Sequence, residues 1–380
     1  MYTYNNLFDE LVSFPNLMRA ARNAQRGKRT KSNTARFNFF MEREIFQLQQ
    51  ELRDGIYQPG QYRSFYVYEP KARLISAAPY RDRVVHHALC RIIEPIFEER
   101  FIHHSYACRL NKGTHRAIDK CQSFIQSNRY VLKADVQKFF ESINHEVLMN
   151  ILKRWIKDEK VLWLARLIIE SSFYHKEHKE HKGISNFLIS SLCPSCLCGE
   201  TGIGLPIGNL TSQFFANVYL NELDYFVKFE LREKYYIRYM DDFLIFGNDR
   251  EHLTHLKDKI SVFLADRLKL SLHDKKSTIF PTKDGVNFLG FRIYRDYRRI
   301  QKENVKRFVR RMKQKVWAWR QTTPIPPFPP LIRGVGGIER VVVLSEITNS
   351  VASWLAHAKH GDTYRLRQKI LSRIVFSKCS

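Results

Sequence analysis

The chain has 380 residues, of which 44% are apolar and 27% charged, a composition typical of a large globular protein with two or three lobes. Its 63 Lys and Arg against 38 Asp and Glu give a net charge of +25, and 13% of the residues are aromatic. This excess predicts a polyanionic partner, foremost a nucleic acid. The sequence contains no uncharged apolar run approaching a membrane span, so we expect no membrane partner.

The cysteines and the N-terminus bear on location. Seven Cys, an odd number in a large chain, favour a reducing compartment over a disulfide framework. Residues 1–6 show no basic start followed by an apolar stretch, so we expect no signal peptide. The sequence therefore predicts a cytoplasmic protein.

The first part of the chain is strongly basic. Residues 11–41 contain seven Lys and Arg and no acid. We predict a helical extension over residues 1–44 that contacts phosphates. A basic surface helix without a specific partner remains an open alternative.

Two short patterns further along predict strands. Residues 62–68 alternate as a strand, and residues 70–76 follow as a turn and a second strand, which gives a hairpin carrying Lys71 and Arg73. Residues 130–136 also have the pattern of a strand, and they lead into a strand-to-helix transition at residues 139–144.

Two segments have a composition that is unusual in a compact domain. We predict insertions at about residues 174–202 and 321–346. The first contains a tandem His-Lys-Glu repeat and then Cys193, Cys196 and Cys198. These cysteines with the repeat histidines are a weak candidate for zinc, because their spacing matches no common finger. Residues 321–338 hold five Pro and three Gly, from which we expect neither regular helix nor sheet.

The most informative turn is Tyr239-Met240-Asp241-Asp242, which lies between two short apolar runs. The pattern predicts a β-hairpin with the two Asp at its turn. Adjacent carboxylates raise each other's pKa unless a cation lies between them, and Mg2+ prefers such ligands. An ordinary Asp-containing turn is the alternative for these four residues alone.

A second acid, Asp135, ends the strand at residues 130–136. An acid at a strand end beside an acidic hairpin turn is the arrangement that two-metal phosphoryl transfer requires. The backbone carbonyl of Val136 is a candidate further metal ligand. For Asp135 alone, helix capping is a common alternative role.

Together, residues 135–140 and 239–242 resemble the palm of a reverse transcriptase. The order and spacing of further segments agree with bacterial group-II-intron-like members, although Ala107 and Cys108 depart from the family's Ser-Tyr-Gly-Phe-Arg element. These segments are residues 71–83, 105–109, 270–276 and 288–291.

The resemblance implies an α+β right-hand polymerase fold. Fingers and palm would occupy residues 45–295, and a basic helical thumb would occupy residues 296–380. Residues 291–320 contain twelve Lys and Arg against two acids, with an apolar helical face that suits packing on a core.

The resemblance also implies roles for individual residues. Asp135, Asp241 and Asp242 would be catalytic and, with Val136, would hold two Mg2+ ions, for which Mn2+ can substitute. Arg73 and Lys71 would neutralise the triphosphate of the incoming nucleotide. Lys276 would protonate or stabilise the leaving pyrophosphate. Phe140 would exclude a 2′-hydroxyl and so select deoxynucleotides, while Phe139 belongs to the core.

Residues 204–213 distinguish kinds of reverse transcriptase. Most members have Gln-Gly and Ser-Pro where this chain has Ile207-Gly208 and Ser212-Gln213, the form typical of diversity-generating retroelements. Those enzymes copy a template RNA with frequent errors opposite adenine. We assign Ile207 and Gln213 to the nucleotide site and hypothesise that Ile207 lowers fidelity, since losing one polar contact costs about 1–3 kcal/mol. Simple core packing of Ile207 remains an alternative.

The sequence thus predicts an RNA-directed DNA polymerase that makes cDNA for a diversity-generating retroelement. Its partners would be template RNA, primer or cDNA, deoxynucleoside triphosphates and a small basic helical accessory protein. A retron or group-II-like enzyme with another role, and a non-catalytic RNA-binding derivative of the fold, remain open alternatives.

Overall fold

A computed structural model describes residues 3–29, 31–68, 72–171, 202–321 and 335–373 of the chain. Helices alternate with short sheets that contain antiparallel strand pairs, which is an α+β arrangement. The helices are α1 (Phe8–Leu11), α2 (Phe14–Ala24), α3 (Ser32–Phe39), α4 (Met41–Arg53), α5 (Tyr80–Glu98), α6 (Thr114–Ser127), α7 (Phe139–Ser142), α8 (His145–Trp155), α9 (Glu159–Glu170), α10 (Leu210–Tyr225), α11 (Arg250–Leu268), α12 (Lys302–Gln321), α13 (Val335–Ala358) and α14 (Tyr364–Arg373).

The described strands form three sheets. The strands are β1 (Arg63–Val67), β2 (Arg73–Ala77), β3 (Tyr130–Asp135), β4 (Tyr236–Tyr239), β5 (Asp242–Gly247), β6 (Thr278–Pro281), β7 (Val286–Phe288), β8 (Phe291–Ile293) and β9 (Arg298–Ile300). Strands β1 and β2 form a hairpin, the central sheet has the order β4-β5-β3-β6, and β7-β8-β9 form a meander. The hairpin predicted around Arg73 is therefore present.

The chain divides into two compact units. The first contains Met1–Gly113, Leu132–Ile245 and Glu251–Thr278, and the second contains Thr114–Val131, Phe246–Arg250 and Ile279–Ser380.

Helix α10 lies in the core of the first unit. In α10, twelve of sixteen residues are buried, so this helix contacts protein on every side. Helix α2 begins at a Ser13 cap and packs on α5 through a stripe of small residues that includes Ala20 and Ala21. Small side chains let the two helices approach closely.

The second unit contains α6, the β7–β9 meander, the basic helices α12 and α14, and α13 between them. Phe308 and Met312 of α12 are buried, as its apolar stripe predicts. The Phe308 ring stacks on Trp354 of α13 with centroids 4.4 Å apart. Arg298 at the start of β9 pairs with Asp119 of α6 at 2.6 Å.

The expectation that residues 321–338 form neither helix nor sheet was wrong at both ends. Gln321 ends α12, and Val335 begins α13, which runs through Gly336 and Gly337. The prolines all lie between residues 324 and 330, whereas a glycine lowers helix stability by only about 1 kcal/mol. The predicted insertion at 321–346 therefore includes residues of a regular helix.

Within the described ranges, no helix combines the length and the hydropathy needed to cross a lipid bilayer.

Candidate active site

The Asp pair lies on a tight hairpin between β4 and β5. Tyr239 pairs with Asp242, so Met240 and Asp241 form a two-residue turn. Met240 has φ +55°, a left-handed conformation that is unfavourable for a non-glycine residue. The turn therefore depends on contacts from its surroundings to hold this conformation.

Backbone hydrogen bonds bring Asp135 to this turn. The Val136 N–H donates to the Asp241 carbonyl at 3.3 Å. On the other side, Gln137 N–H donates to Ser271 and the Asp135 carbonyl accepts from His273, at 2.9 and 2.8 Å. These two bonds flank Val136, so its own N–H and carbonyl point toward the hairpin.

The three carboxylates destabilise one another in their ionised forms. Burial raises the pKa of Asp241 from 3.8 to about 6, and the neighbouring Asp135 and Asp242 add to that rise. Burial also raises the pKa of Asp242. Two lysines offset this charge: the Lys276 ammonium contacts the Asp135 carboxylate, and Lys133 Nζ lies 3.9 Å from Asp242 Oδ1.

The donor set suits a hard divalent cation, because it consists of carboxylates and a nearby backbone carbonyl. In the part of the chain that the structure describes, however, no three His, Cys, Asp or Glu side chains are arranged to enclose a metal ion. The Lys276 ammonium contacts the Asp135 carboxylate, where a cation would also bind. A metal would have to displace this lysine, which would then be free to face an anionic substrate.

A buried ion pair contacts the hairpin and stabilises it. Arg238 and Asp224 are both fully buried, and they form a forked pair in which Nε and Nη2 each lie 2.7 Å from a carboxylate oxygen. Arg238 Nη1 also donates to the Met240 carbonyl at 3.2 Å and to Asn217 Oδ1 at 3.2 Å. Tyr236 donates its hydroxyl to Asp224 at 2.7 Å. This cluster fixes the carbonyl of the strained turn residue.

We did not predict this cluster, although the sequence contains a signal for it. Arg238 stands in the middle of an apolar run, where a charged residue is buried only when it is paired. Its partner could not be found from spacing alone, because Asp224 belongs to another element, α10.

Residues 207–209 are tied to strand β2. The Ser76 N–H donates to the Ile207 carbonyl at 2.9 Å. The buried Asn209 amide donates to the Ser76 carbonyl at 3.1 Å and accepts from the Ala78 N–H at 3.2 Å. At Gly208, φ is +117° and a Cβ atom would lie 2.7 Å from Ile75, so only glycine fits. Asn209, which we did not predict, thus positions Ile207, whose side chain is half-buried.

The other predicted site residues lie on several elements. Arg73 is exposed at the start of β2, and Phe140 is half-buried in α7, while Phe139 is buried. Gln213 is exposed on α10, and its amide oxygen accepts from the Cys108 thiol at 3.4 Å. Lys71 and the candidate zinc residues at 175–198 lie outside the described residues.

Comparison with known proteins gives the family. Residues 67–293 match the family described as reverse transcriptase (RNA-dependent DNA polymerase), and this stretch contains the three Asp and the segment around Ile207. The chain belongs to the reverse transcriptase family. The prediction of an α+β polymerase fold is confirmed.

The similar proteins include two that are named as intron proteins. The chain is 24% identical to the group II intron-encoded protein LtrA of Lactococcus lactis subsp. cremoris, over 67% of this chain and 50% of LtrA. It is 26% identical to protein YkfC of Escherichia coli, over 66% of this chain and 71% of YkfC. A COX1/OXI3 intron 2 protein of Saccharomyces cerevisiae is 25% identical, over 60% of this chain and 32% of that protein. The chain thus spans a third to a half of the length of the first and third of these relatives.

The ion pair below the hairpin generates a stability prediction. Arg238→Met leaves the Asp224 carboxylate buried without a partner, and we expect a loss of about 3–5 kcal/mol in the free energy of unfolding. The double variant Arg238→Met/Asp224→Leu should regain much of this loss, because no charge is left unpaired. Urea denaturation measures both.

Arg267→Met serves as the control for this prediction. Arg267 is exposed on α11, and its loss should change the free energy of unfolding by less than about 0.5 kcal/mol. A loss below about 1 kcal/mol for Arg238→Met would contradict the role of the pair.

The raised pKa of Asp241 generates a second prediction, for protein without divalent ions. A carboxyl whose pKa is raised on folding is protonated in both states only below its unfolded pKa of 3.8. Its destabilisation of the folded state grows as the pH rises from there and is complete above about pH 6. A rise of about two units corresponds to about 2–3 kcal/mol. Asp241→Asn should therefore stabilise the protein by about 1–3 kcal/mol at pH 7.5 and have little effect near pH 3.

Thermal and urea denaturation across this pH range test the Asp241 prediction. Asp258→Asn, at an exposed position of α11, should give no such pH-dependent gain. Added Mg2+ should reduce the advantage of Asp241→Asn, because the ion stabilises the ionised wild-type site. A gain that is independent of pH would contradict the assigned cause.

Proposed function

We propose that this protein is an RNA-directed DNA polymerase in which Asp135, Asp241 and Asp242 form the catalytic centre. The observation that carries the proposal is the hydrogen bond from Val136 to the Asp241 carbonyl, which holds the end of β3 against the acidic turn. Membership of the reverse transcriptase family supports the choice of RNA as template.

Two Mg2+ ions, when bound, would activate the attacking 3′-hydroxyl and stabilise the leaving oxygen. The residues of this chain supply the charges and the oxygen ligands around these ions. The three Asp hold negative charge at one place, and the Val136 carbonyl lies on the same side. Lys276, once displaced from Asp135, donates to the departing pyrophosphate, and Arg73 neutralises the triphosphate.

We further propose that the substrate is a deoxynucleoside triphosphate. The half-buried ring of Phe140 lies five positions after Asp135, as in the family's steric gate. A bulky ring below the sugar excludes a 2′-hydroxyl by contact. Phe139 is fully packed in the core and leaves this role to its neighbour.

We propose the diversity-generating retroelement type as the more specific function. Ile207 and Gln213 support it, because they replace the residues that most family members have at these positions. The bonds from Ser76 and Asn209 fix Ile207 beside the strand that carries Arg73. An apolar side chain there offers no hydrogen bond that would test the fit of a base pair, which lowers discrimination.

The proposed domains and partners follow from the resemblance to reverse transcriptases. The fingers and palm occupy residues 45–295, after a basic extension at 1–44, and the thumb occupies residues 296–380. A structured template RNA and a small basic helical accessory protein are the proposed partners. The odd number of cysteines supports a cytoplasmic location.

A group-II-like reverse transcriptase with another role is the second candidate. The similarity to the group II intron-encoded protein LtrA favours it. The two candidates share the catalytic centre and differ in the error pattern of their cDNA, so fidelity separates them.

Primer extension on an RNA template tests the polymerase proposal. The wild-type protein should extend a DNA primer in the presence of Mg2+, and Asp241→Asn should reduce the rate at least about 100-fold, because a metal ligand is lost. Asp258→Asn should keep wild-type activity. If the wild type shows no Mg2+-dependent synthesis above Asp241→Asn, the non-catalytic alternative is correct.

Sequencing of the cDNA tests the role of Ile207. Ile207→Gln should lower misinsertion opposite template adenine by about 5-fold or more and leave errors opposite the other bases unchanged. Ile203→Gln, at an exposed position nearby, should change neither. If Ile207→Gln leaves the error rate opposite adenine unchanged, Ile207 does not lower fidelity.

A further inference from the structure

Residues 202–205 are bound by hydrogen bonds to α7 and to the start of α8. The Leu205 N–H donates to the Phe140 carbonyl at 2.6 Å, and the Gly204 N–H donates to the Ile143 carbonyl at 2.7 Å. This stretch has no helix or regular strand of its own, so these bonds fix its path. We call residues 202–205 the clamp segment.

His145 bonds the clamp segment with both its backbone and its side chain. It is the first residue of α8, where backbone N–H groups have no partner within the helix, and its N–H donates to the Gly202 carbonyl at 2.7 Å. Its imidazole Nε2 lies 2.7 Å from the Gly204 carbonyl oxygen. The Asn144 side chain caps α8 by accepting from the Val147 N–H at 3.0 Å, which fixes the start of the helix.

The His145 ring is neutral and has one defined tautomer. The residue is buried, and burial lowers its pKa below the usual value for histidine. Because the Gly204 carbonyl can only accept, Nε2 must carry the proton of the neutral ring. Nδ1 is buried and, among the residues that the structure describes, has no hydrogen-bond partner. Burial of this nitrogen is unfavourable, and the bond from Nε2 offsets the cost.

Helix α7 depends on the clamp segment because it is a single turn. It has four residues, too few to be stable through its own hydrogen bonds. Lys138, which precedes it, has φ +43°, a conformation that is unfavourable for a non-glycine residue. The bond from Leu205 to the Phe140 carbonyl therefore fixes the backbone that carries the Phe140 ring.

The clamp segment leads directly to Ile207, whose carbonyl accepts from the Ser76 N–H of β2. At Gly204, φ is +99° and a Cβ atom would lie 3.2 Å from the Glu141 carbonyl oxygen, so glycine is needed for this close approach to α7. The positions of α7 and of Ile207 are therefore coupled through one short stretch of backbone.

We propose that His145 is a positioning residue for the selection of deoxynucleotides, and that it acts through the clamp segment on Phe140. The inference rests on the proposed polymerase function, in which the Phe140 ring excludes a 2′-hydroxyl. Such a ring discriminates between sugars only while its position is held to within about 0.5 Å. Without the bond from His145, the clamp segment and the backbone of Phe140 shift, and a ribonucleotide is admitted more readily.

Single-nucleotide primer extension on an RNA template measures this selection, as the ratio of kcat/KM for a deoxynucleotide to kcat/KM for the ribonucleotide with the same base. His145→Leu removes the bond to the clamp segment, whereas His145→Gln keeps a side-chain N–H donor. Gln49→Met is the matched control, because the buried Gln49 amide donates to the Val12 carbonyl, also at 2.7 Å. Gly204→Ala perturbs the clamp segment independently, and it decides the test if His145→Leu does not fold.

We expect His145→Leu to lower this ratio about 10-fold, mainly through a higher kcat/KM for the ribonucleotide, since the loss of one buried hydrogen bond has an effect of this size. His145→Gln should recover the ratio to within about 3-fold of the wild type, and Gln49→Met should stay within about 2-fold. A purely structural role would lower kcat/KM for both nucleotides together. An unchanged ratio in His145→Leu, or an equal fall in Gln49→Met, would overturn the proposal.

Hydrogen–deuterium exchange of the peptide that covers residues 202–209 gives a readout that does not depend on activity. The amides of Gly204 and Leu205 should exchange at least about 10-fold faster in His145→Leu than in the wild type, and at the wild-type rate in Gln49→Met. Unchanged exchange in His145→Leu would show that His145 does not hold the clamp segment. If exchange rises but the wild type synthesises no DNA, the polymerase proposal fails, and the bond from His145 to the clamp segment stands.

Discussion

The acidic hairpin depends on the buried pair of Arg238 and Asp224. A two-residue turn with Met240 in a left-handed conformation is unfavourable by itself, and the acidic residues beside it repel one another. Arg238 reaches the Met240 carbonyl from below, while Asp224 holds the guanidinium by two bonds of 2.7 Å. Because α10 supplies Asp224, the packing of this fully surrounded helix is transmitted to the turn. Loss of either charge leaves the other buried and unpaired.

Nearby lysines balance the negative charge of the carboxylates at the acidic turn. Burial and mutual repulsion raise the pKa of Asp241, and lysines from two other segments lie against its neighbours. Lys276 contacts the same carboxylate that would bind a metal ion. An exchange of this ammonium for a divalent cation would free the lysine for the triphosphate. The same residue thus balances charge before substrate binds and, in our proposal, stabilises the leaving group afterwards.

The sequence was sufficient to predict elements whose signal is local. The hairpin at residues 239–242, the strand that ends at Asp135 and the apolar face of α12 all follow from short patterns. The sequence could not show which distant residues meet. Arg238 and Asp224, or Asn209 and Ser76, are paired by tertiary packing, and no spacing rule links them. The prolines before residue 331 led us to extend the irregular segment too far, since two glycines alone do not end a helix.

The central claim is that the three carboxylates together hold the divalent ions at the primer end. Counting Mn2+ by electron paramagnetic resonance, in a complex with RNA template, DNA primer and a nonhydrolysable deoxynucleotide, tests it most directly. We predict two bound ions in the wild-type complex. Asp241→Asn should bind fewer ions, whereas Asp258→Asn should bind as many as the wild type. An equal number of ions in the wild type and in Asp241→Asn would contradict the account.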